Sequence, residues 1–211
     1  PGREYLHFVF SQGVEDIEEV ARFLRESTEF GVSSVVLVSF SAAAIEARKA
    51  LARDRDGLFS GWISVVGSPD VQSMTRAISG GVDFAVGYER RIQFGVQELL
   101  GVVVDIDRIV NDGEENDLLF IDQSRNDMAA IKVPITWYHG RFDAWVDFAR
   151  VCDILSHGDT SNRRLIVIST GHQLKNSQQA DEVFQCIASE IGRIGLGKRV
   201  SPGKARSQEI R

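Results

Sequence analysis

The chain lacks any apolar run long enough to cross a bilayer. Its longest, such as Val35-Val36-Leu37-Val38, fall far short of the roughly 20 residues that a spanning helix needs. No signal-peptide pattern stands at its start, which is Pro1 rather than a methionine. Basic residues are in the minority, 24 against 30 acidic ones, and a net charge of −6 removes the electrostatic reason to expect a nucleic-acid partner. Cysteine is scarce. Cys152 and Cys186 sit inside helix-like patterns without ligand spacing, so free buried thiols in a reducing, cytoplasmic compartment are expected. No His, Cys and Asp cluster has metal-ligand spacing and no Gly-rich phosphate loop occurs, so no cofactor is expected and a nucleotide-binding reading is disfavoured. No internal repeat is visible.

What is present is an alternation of strand-like and helix-like segments. With 211 residues, 43% of them apolar, the chain is long enough for one domain with a sizeable core. Glu15–Glu29 has Ile17, Val20, Ala21 and Leu24 on one face and Asp16, Glu18, Glu19 and Arg22 on the other, the period of an amphipathic helix. Ser34–Ser39, Gly61–Val66, Val133–Tyr138 and Arg164–Ser169 read as strands, the first continuous and apolar, as in strands buried on both faces. Helices are expected over Ala42–Leu51, Phe148–Ser156 and Ser177–Ile194, and a further strand around Tyr5–Phe10. Such alternation predicts an α/β fold with a mostly parallel sheet, in which ligands bind beyond the carboxyl ends of the strands.

Two stretches stand apart. Residues 79–128 break the alternation with Gly80-Gly81, scattered apolar residues and an acidic patch at Asp112–Asp117. They are too long for a plain connection and are read as a cap inserted over the strand ends, the alternative being an extension of the outer helices. Residues 197–211, with Lys198, Arg199, Lys204, Arg206 and Arg211 against Glu209 alone, read as a basic disordered tail after a core spanning 1–196.

Three segments carry chemistry: Ser39-Phe40-Ser41-Ala42-Ala43, His139-Gly140-Arg141-Phe142-Asp143-Ala144-Trp145, and Ser169-Thr170-Gly171-His172. Each follows a strand-like run. A serine hydroxyl is a poor nucleophile at neutral pH and needs a histidine base oriented by a carboxylate. Small residues two before and two after Ser41 suit a sharp strand-to-helix turn, with Ser39 and Ala43 in place of the commoner glycines of G-x-S-x-G. Ser41, Asp143 and His172 are therefore the candidate catalytic residues. The Ala42 N–H is the candidate oxyanion donor, and Phe40 and Trp145 are candidate substrate-binding residues. Each also has a plainer explanation: Ser41 as a helix N-cap, Asp143 as a turn residue after Gly140, His172 as an exposed loop histidine. Ser39 competes for the nucleophile but lies inside the strand. Asp147 and Asp122 compete for the carboxylate, the former better placed to start a helix.

The S-x-S-A turn at Ser39–Ala42, Val133-Pro134-Ile135, Asp143-x-Trp145-Val146 and Gly171-His172-x-Leu174 resemble the α/β-hydrolases. More closely they resemble the acyl transferase (myristoyl-acyl-carrier-protein thioesterase) family of bacterial luminescence, whose S-x-S turn also lacks the usual glycines. The resemblance implies a sheet of the α/β-hydrolase type with a cap insertion, cleavage of an acyl thioester or ester through an acyl-serine, a long-chain acyl group and an acyl carrier protein as partner. It also implies strands ahead of the serine strand that about forty residues cannot hold, hence a chain lacking its N-terminal strands, an incomplete oxyanion hole and an unpaired sheet edge. The competing functional expectation is a non-catalytic α/β-hydrolase-like binding or scaffold protein that keeps the three residues.

Overall fold

The computed structural model describes residues 5–174 and 178–195. Among the described residues eight α-helices and six strands follow in the order α1 (Phe10–Glu26), β1 (Val35–Phe40), α2 (Ala43–Arg53), β2 (Phe59–Val65), α3 (Val71–Ile78), α4 (Phe84–Glu89), β3 (Val96–Leu99), β4 (Val102–Asp105), α5 (Ile106–Glu115), α6 (Ile121–Ala130), β5 (Ile135–Gly140), α7 (Phe148–Leu155), β6 (Arg163–Ile168) and α8 (Gln178–Gly195). Strands β1, β2, β5 and β6 form one parallel sheet in that order. β3 and β4 form a separate antiparallel hairpin.

The apolar runs of the main sheet are continuous because both of its faces are covered, and successive side chains alternate between them. Val35, Leu37, Trp62, Ile135, Trp137 and Leu165 pack with α1, α2, α6 and α7 through Ala21, Ala44, Met128 and Val151. Val36, Val38, Ile63, Val65, Tyr138 and Ile166 face α8 and its Val183, Ile187 and Ile194. At the centre of the first layer the Trp62 and Trp137 rings meet edge-on, 5.4 Å between centroids. Burying a side chain of this kind contributes roughly 1.5–3 kcal/mol, so these two layers supply most of the driving force.

Two groups of charged side chains tie the helices to one another and to the sheet. Arg48 and Lys49 of α2 both reach Asp127 of α6, at 3.0 and 2.8 Å, and fasten the two helices together. Arg48 also donates to the Pro69 carbonyl. On the opposite face Glu190 of α8 accepts from Thr136 of β5 at 2.7 Å and from Arg164 of β6 at 3.0 Å.

A third apolar cluster joins α3, α4, α5 and the β3–β4 hairpin to Phe10 of α1 and Ile45 of α2, with Ala42 packed against it. The stretch 79–128 supplies α4, the hairpin, α5 and most of α6. Its last helix packs in the α2–α6–α7 layer, whereas the others belong to this third cluster. Asp83 and Asp105 cap α4 and α5 by accepting from Val86 and Arg108.

The strand expected around Tyr5–Phe10 does not form. Tyr5–His7 is a 3-10 turn, and Phe10 already opens α1. Phe8 and Phe10 stack edge-on at 5.0 Å as part of the third cluster, and the Ser11 N–H donates to Asp112 at 3.0 Å, which fixes a helix start rather than a strand. Within the described residues β1 pairs only with β2 and forms one edge of the sheet. The basic tail expected over 197–211 lies outside the described residues.

Candidate active site

Ser41 stands between β1 and α2 with φ +53°, a left-handed conformation that costs a non-glycine residue of order 1–3 kcal/mol. The turn closes through backbone bonds: Ser41 N–H to the Val65 carbonyl at 3.1 Å, and Ala44 N–H to the Ser41 carbonyl at 3.1 Å. Ala42 takes the N-cap position of α2 without a side-chain cap bond. The Ser41 hydroxyl is therefore not spent on capping. It lies 2.6 Å from Nε2 of His172.

His172 follows β6, and its Nδ1 is 2.9 Å from Oδ2 of Asp143. The Asp143 side chain is fully buried. Burial pushes its pKa up, but bonds from His172 and from the N–H groups of Trp145 and Val146 outweigh that and hold it below the ordinary 3.8. An ionised carboxylate can only accept, so the Nδ1 facing it carries the proton and Nε2 is left to accept from Ser41. The other oxygen, Oδ1, takes the N–H groups of Trp145 at 2.9 Å and Val146 at 3.0 Å.

The loops bearing Asp143 and His172 are zipped together. Arg141 N–H donates to the Ile168 carbonyl at 2.8 Å and Phe142 N–H to the Thr170 carbonyl at 3.0 Å. Gly140 makes this possible, because a Cβ there would stand 2.7 Å from the Thr170 oxygen.

The three candidate catalytic residues thus meet, although they are 131 and 29 positions apart. Trp145 joins them, its ring 4.8 Å from that of His172. Phe40 is placed differently: 40% exposed, it leans on Phe184 of α8 at 6.1 Å. The competitors fall elsewhere. Ser39 is buried and accepts from Trp62 Nε1 at 2.9 Å, Asp147 caps α7 through Ala149 N–H, and Asp122 pairs with Arg125 on α6. Among the described residues no group of three or more His, Cys, Asp and Glu is arranged to hold a metal ion.

Sequence reasoning missed two neighbours of the site. His139 is 3% exposed, with its ring 5.0 Å from that of Phe148. Burial lowers its pKa, against the nearby charges of Asp143 and Asp147. The loop after β2 touches the serine turn directly, since the Ser68 N–H donates to the Ser41 carbonyl at 3.0 Å. The turn signal Gly67-Ser68-Pro69-Asp70 at the same strand edge was the clue available. A cleft of about 350 Å³ opens among Phe84, Phe94, Leu99, Ile78 and Val82, and none of Ser41, Asp143 and His172 lines it.

No protein-family model and no curated protein matches the chain. Solved structures do. Est1E from Butyrivibrio proteoclasticus superposes with a TM-score of 0.71 at 13% identity, over 90% of this chain and 72% of that one. The esterase domain of a Rhodothermus marinus protein gives 0.61 at 14% identity, over 85% and 68%. A monoacylglycerol lipase of Paleococcus ferrophilus gives 0.62 at 12% identity, over 92% and 79%. At such identities the likeness defines the fold, which is that of an α/β-hydrolase.

Proposed function

We propose that this protein is a serine acyl hydrolase that cleaves an ester or thioester through an acyl-Ser41 intermediate. The observation that carries the reading is the unbroken chain from Ser41 Oγ through His172 to buried Asp143, with the serine on a left-handed strand-to-helix turn. As Ser41 Oγ attacks the acyl carbonyl, His172 Nε2 takes its proton, and the Asp143 charge stabilises the resulting imidazolium. The Ala42 N–H, ahead of the first hydrogen-bonded turn of α2, faces the developing oxyanion. The imidazolium then returns the proton to the leaving alcohol or thiol. A second acceptor, water or another nucleophile, attacks the acyl-serine with His172 again as base.

The esterase and lipase neighbours support an ester substrate. The S-x-S-A turn and its resemblance to the luminescence acyl transferases support a thioester donor, a long-chain fatty acyl group presented by an acyl carrier protein, and transfer to an acceptor other than water. Trp145 against His172 supports a substrate-binding role at the acyl carbonyl, while Phe40 would act through its contact with Phe184. In this reading part of the stretch 79–128 caps the site, and free Cys152 and Cys186 support a reducing, cytoplasmic setting. Among the described residues no helix is long and apolar enough to cross a membrane.

The test is covalent labelling by a fluorophosphonate probe. Labelling at Ser41 that disappears in Ser41→Ala and falls steeply in His172→Ala supports an activated nucleophile, and acyl esters and thioesters of graded length then assign the donor. Folded protein that stays unlabelled overturns the proposal.

A further inference from the structure

Ser41 and Val66 are left-handed residues that directly follow two neighbouring strands. Phe40 and Val65 are register partners at the ends of β1 and β2, and the residue after each strand has positive φ, +53° and +46°. For a β-branched valine that conformation is a true outlier. It is held because Val66 is 2% exposed and its N–H donates to the Tyr138 carbonyl at 2.8 Å. Gly67 follows in a slot where a Cβ would stand 2.6 Å from the Ala44 Cβ and 2.8 Å from the Trp137 ring. The loop is thus pinned on three sides, and it ends with the Ser68 N–H on the Ser41 carbonyl at 3.0 Å.

That carbonyl belongs to the Ser41–Ala42 peptide, which is trans and planar. In a planar trans peptide the C=O and the N–H point in opposite directions, so whatever fixes one aims the other. Two donors fix this carbonyl, Ala44 N–H from the first turn of α2 and Ser68 N–H from outside the helix. Only the second ties the peptide to the sheet.

We infer that Ser68 is a positioning residue. Its main-chain N–H, held by the strained Val66 turn, orients the Ala42 N–H toward the oxyanion formed at Ser41. The inference rests on the acyl-serine reading and assigns the β2–α3 loop a part in it. The orientation is needed most in the transition state, so its loss lowers kcat rather than raising KM.

The test removes one N–H. Ser68→Pro deletes it. A backbone ester at position 68, which replaces the N–H by oxygen and keeps the side chain, covers the event that the proline variant fails to fold. Expected are a fall in kcat of roughly 10–100-fold per probe-titrated site, KM within twofold, and a parallel loss of affinity for an alkyl boronic acid, whose adduct with Ser41 is tetrahedral. Ser68→Ala, which keeps the N–H, restores the kcat lost in Ser68→Pro. A backbone-ester protein with unchanged kcat per titrated site, or one that loses only thermal stability, overturns the inference. If the unmodified chain is not labelled at Ser41, the acyl-serine reading itself fails and the inference falls with it.

Discussion

Asp143 binds His172 with one carboxylate oxygen and its own downstream turn with the other. Oδ2 faces Nδ1 at 2.9 Å, while Oδ1 takes the Trp145 and Val146 N–H groups. The two duties separate in Asp143→Asn. The amide oxygen can still hold the turn, but the amide nitrogen presents a donor to Nδ1, which drives the proton to Nε2, the wrong nitrogen for accepting from Ser41. The expected result is an ester-hydrolysis kcat lowered about 10³–10⁴-fold, with fluorophosphonate labelling slowed in parallel and the thermal midpoint moved by only a few degrees. A variant within tenfold of the parent would show that the carboxylate does not orient the base.

That double use explains which parts of the site the sequence displayed. An aspartate after a glycine reads as a turn residue, and Asp143 is one; nothing local says that its second oxygen is spoken for. Ser41 shows the reverse, since its setting suits an N-cap and the fold gives that position to Ala42. The parallel strands were legible because burial on both faces makes them continuous apolar runs. Their order was not, because it depends on where α2 and α6 cross, and the Arg48–Asp127–Lys49 cluster that fastens them links residues 78 and 79 positions apart. A strand was expected around Tyr5–Phe10, whereas Phe8 and Phe10, two positions apart, stack on each other in a tertiary cluster. The Val66 turn left only the Gly67-Ser68-Pro69-Asp70 signal, since a valine gives no hint of positive φ.

Glu46 couples the α1–α2–α5 contact to pH. Burial pushes its carboxyl up to about 7, and the nearby charges of Asp16 on α1 and Asp112 on α5 push the same way. A carboxyl with a raised folded-state pKa binds its proton more tightly folded than unfolded. Stability is therefore greatest below the ordinary value of 4.5, falls as pH rises through the window up to about 7, and stays low above it. Glu46→Gln keeps the shape and removes the ionisation. It should gain roughly 1–3 kcal/mol at pH 8 relative to the parent, little at pH 4, and flatten the profile between. Urea denaturation at several pH values reads this directly. A parent whose stability rises steadily from pH 4.5 to 7, with Glu46→Gln following it, would place the titration elsewhere.

Glu190 works in the opposite sense and secures α8, the helix covering the face of the sheet away from α2. Burial raises its pKa, yet bonds from Arg193 and Thr136 and the charge of Arg164 overcome that and hold the carboxyl at about 2. Arg193 reaches both of its oxygens, at 2.9 and 2.5 Å. A depressed folded-state pKa contributes stability that is fully present above the unfolded value near 4.5 and is lost as pH falls toward 2. Because Arg164 and Arg193 are partly exposed, solvent screening reduces the contribution to roughly 1–3 kcal/mol. Glu190→Gln should therefore lower stability by that amount at pH 7 and by almost nothing at pH 2. Thr136 reports on the same contact from the sheet: Thr136→Val keeps the volume, removes a donor to the carboxylate, and should narrow the difference between pH 7 and pH 2 without abolishing it. Thermal midpoints of the parent and both variants across this range decide the matter. A Glu190→Gln deficit as large at pH 2 as at pH 7 would mean that packing, and not the carboxylate charge, is what α8 loses.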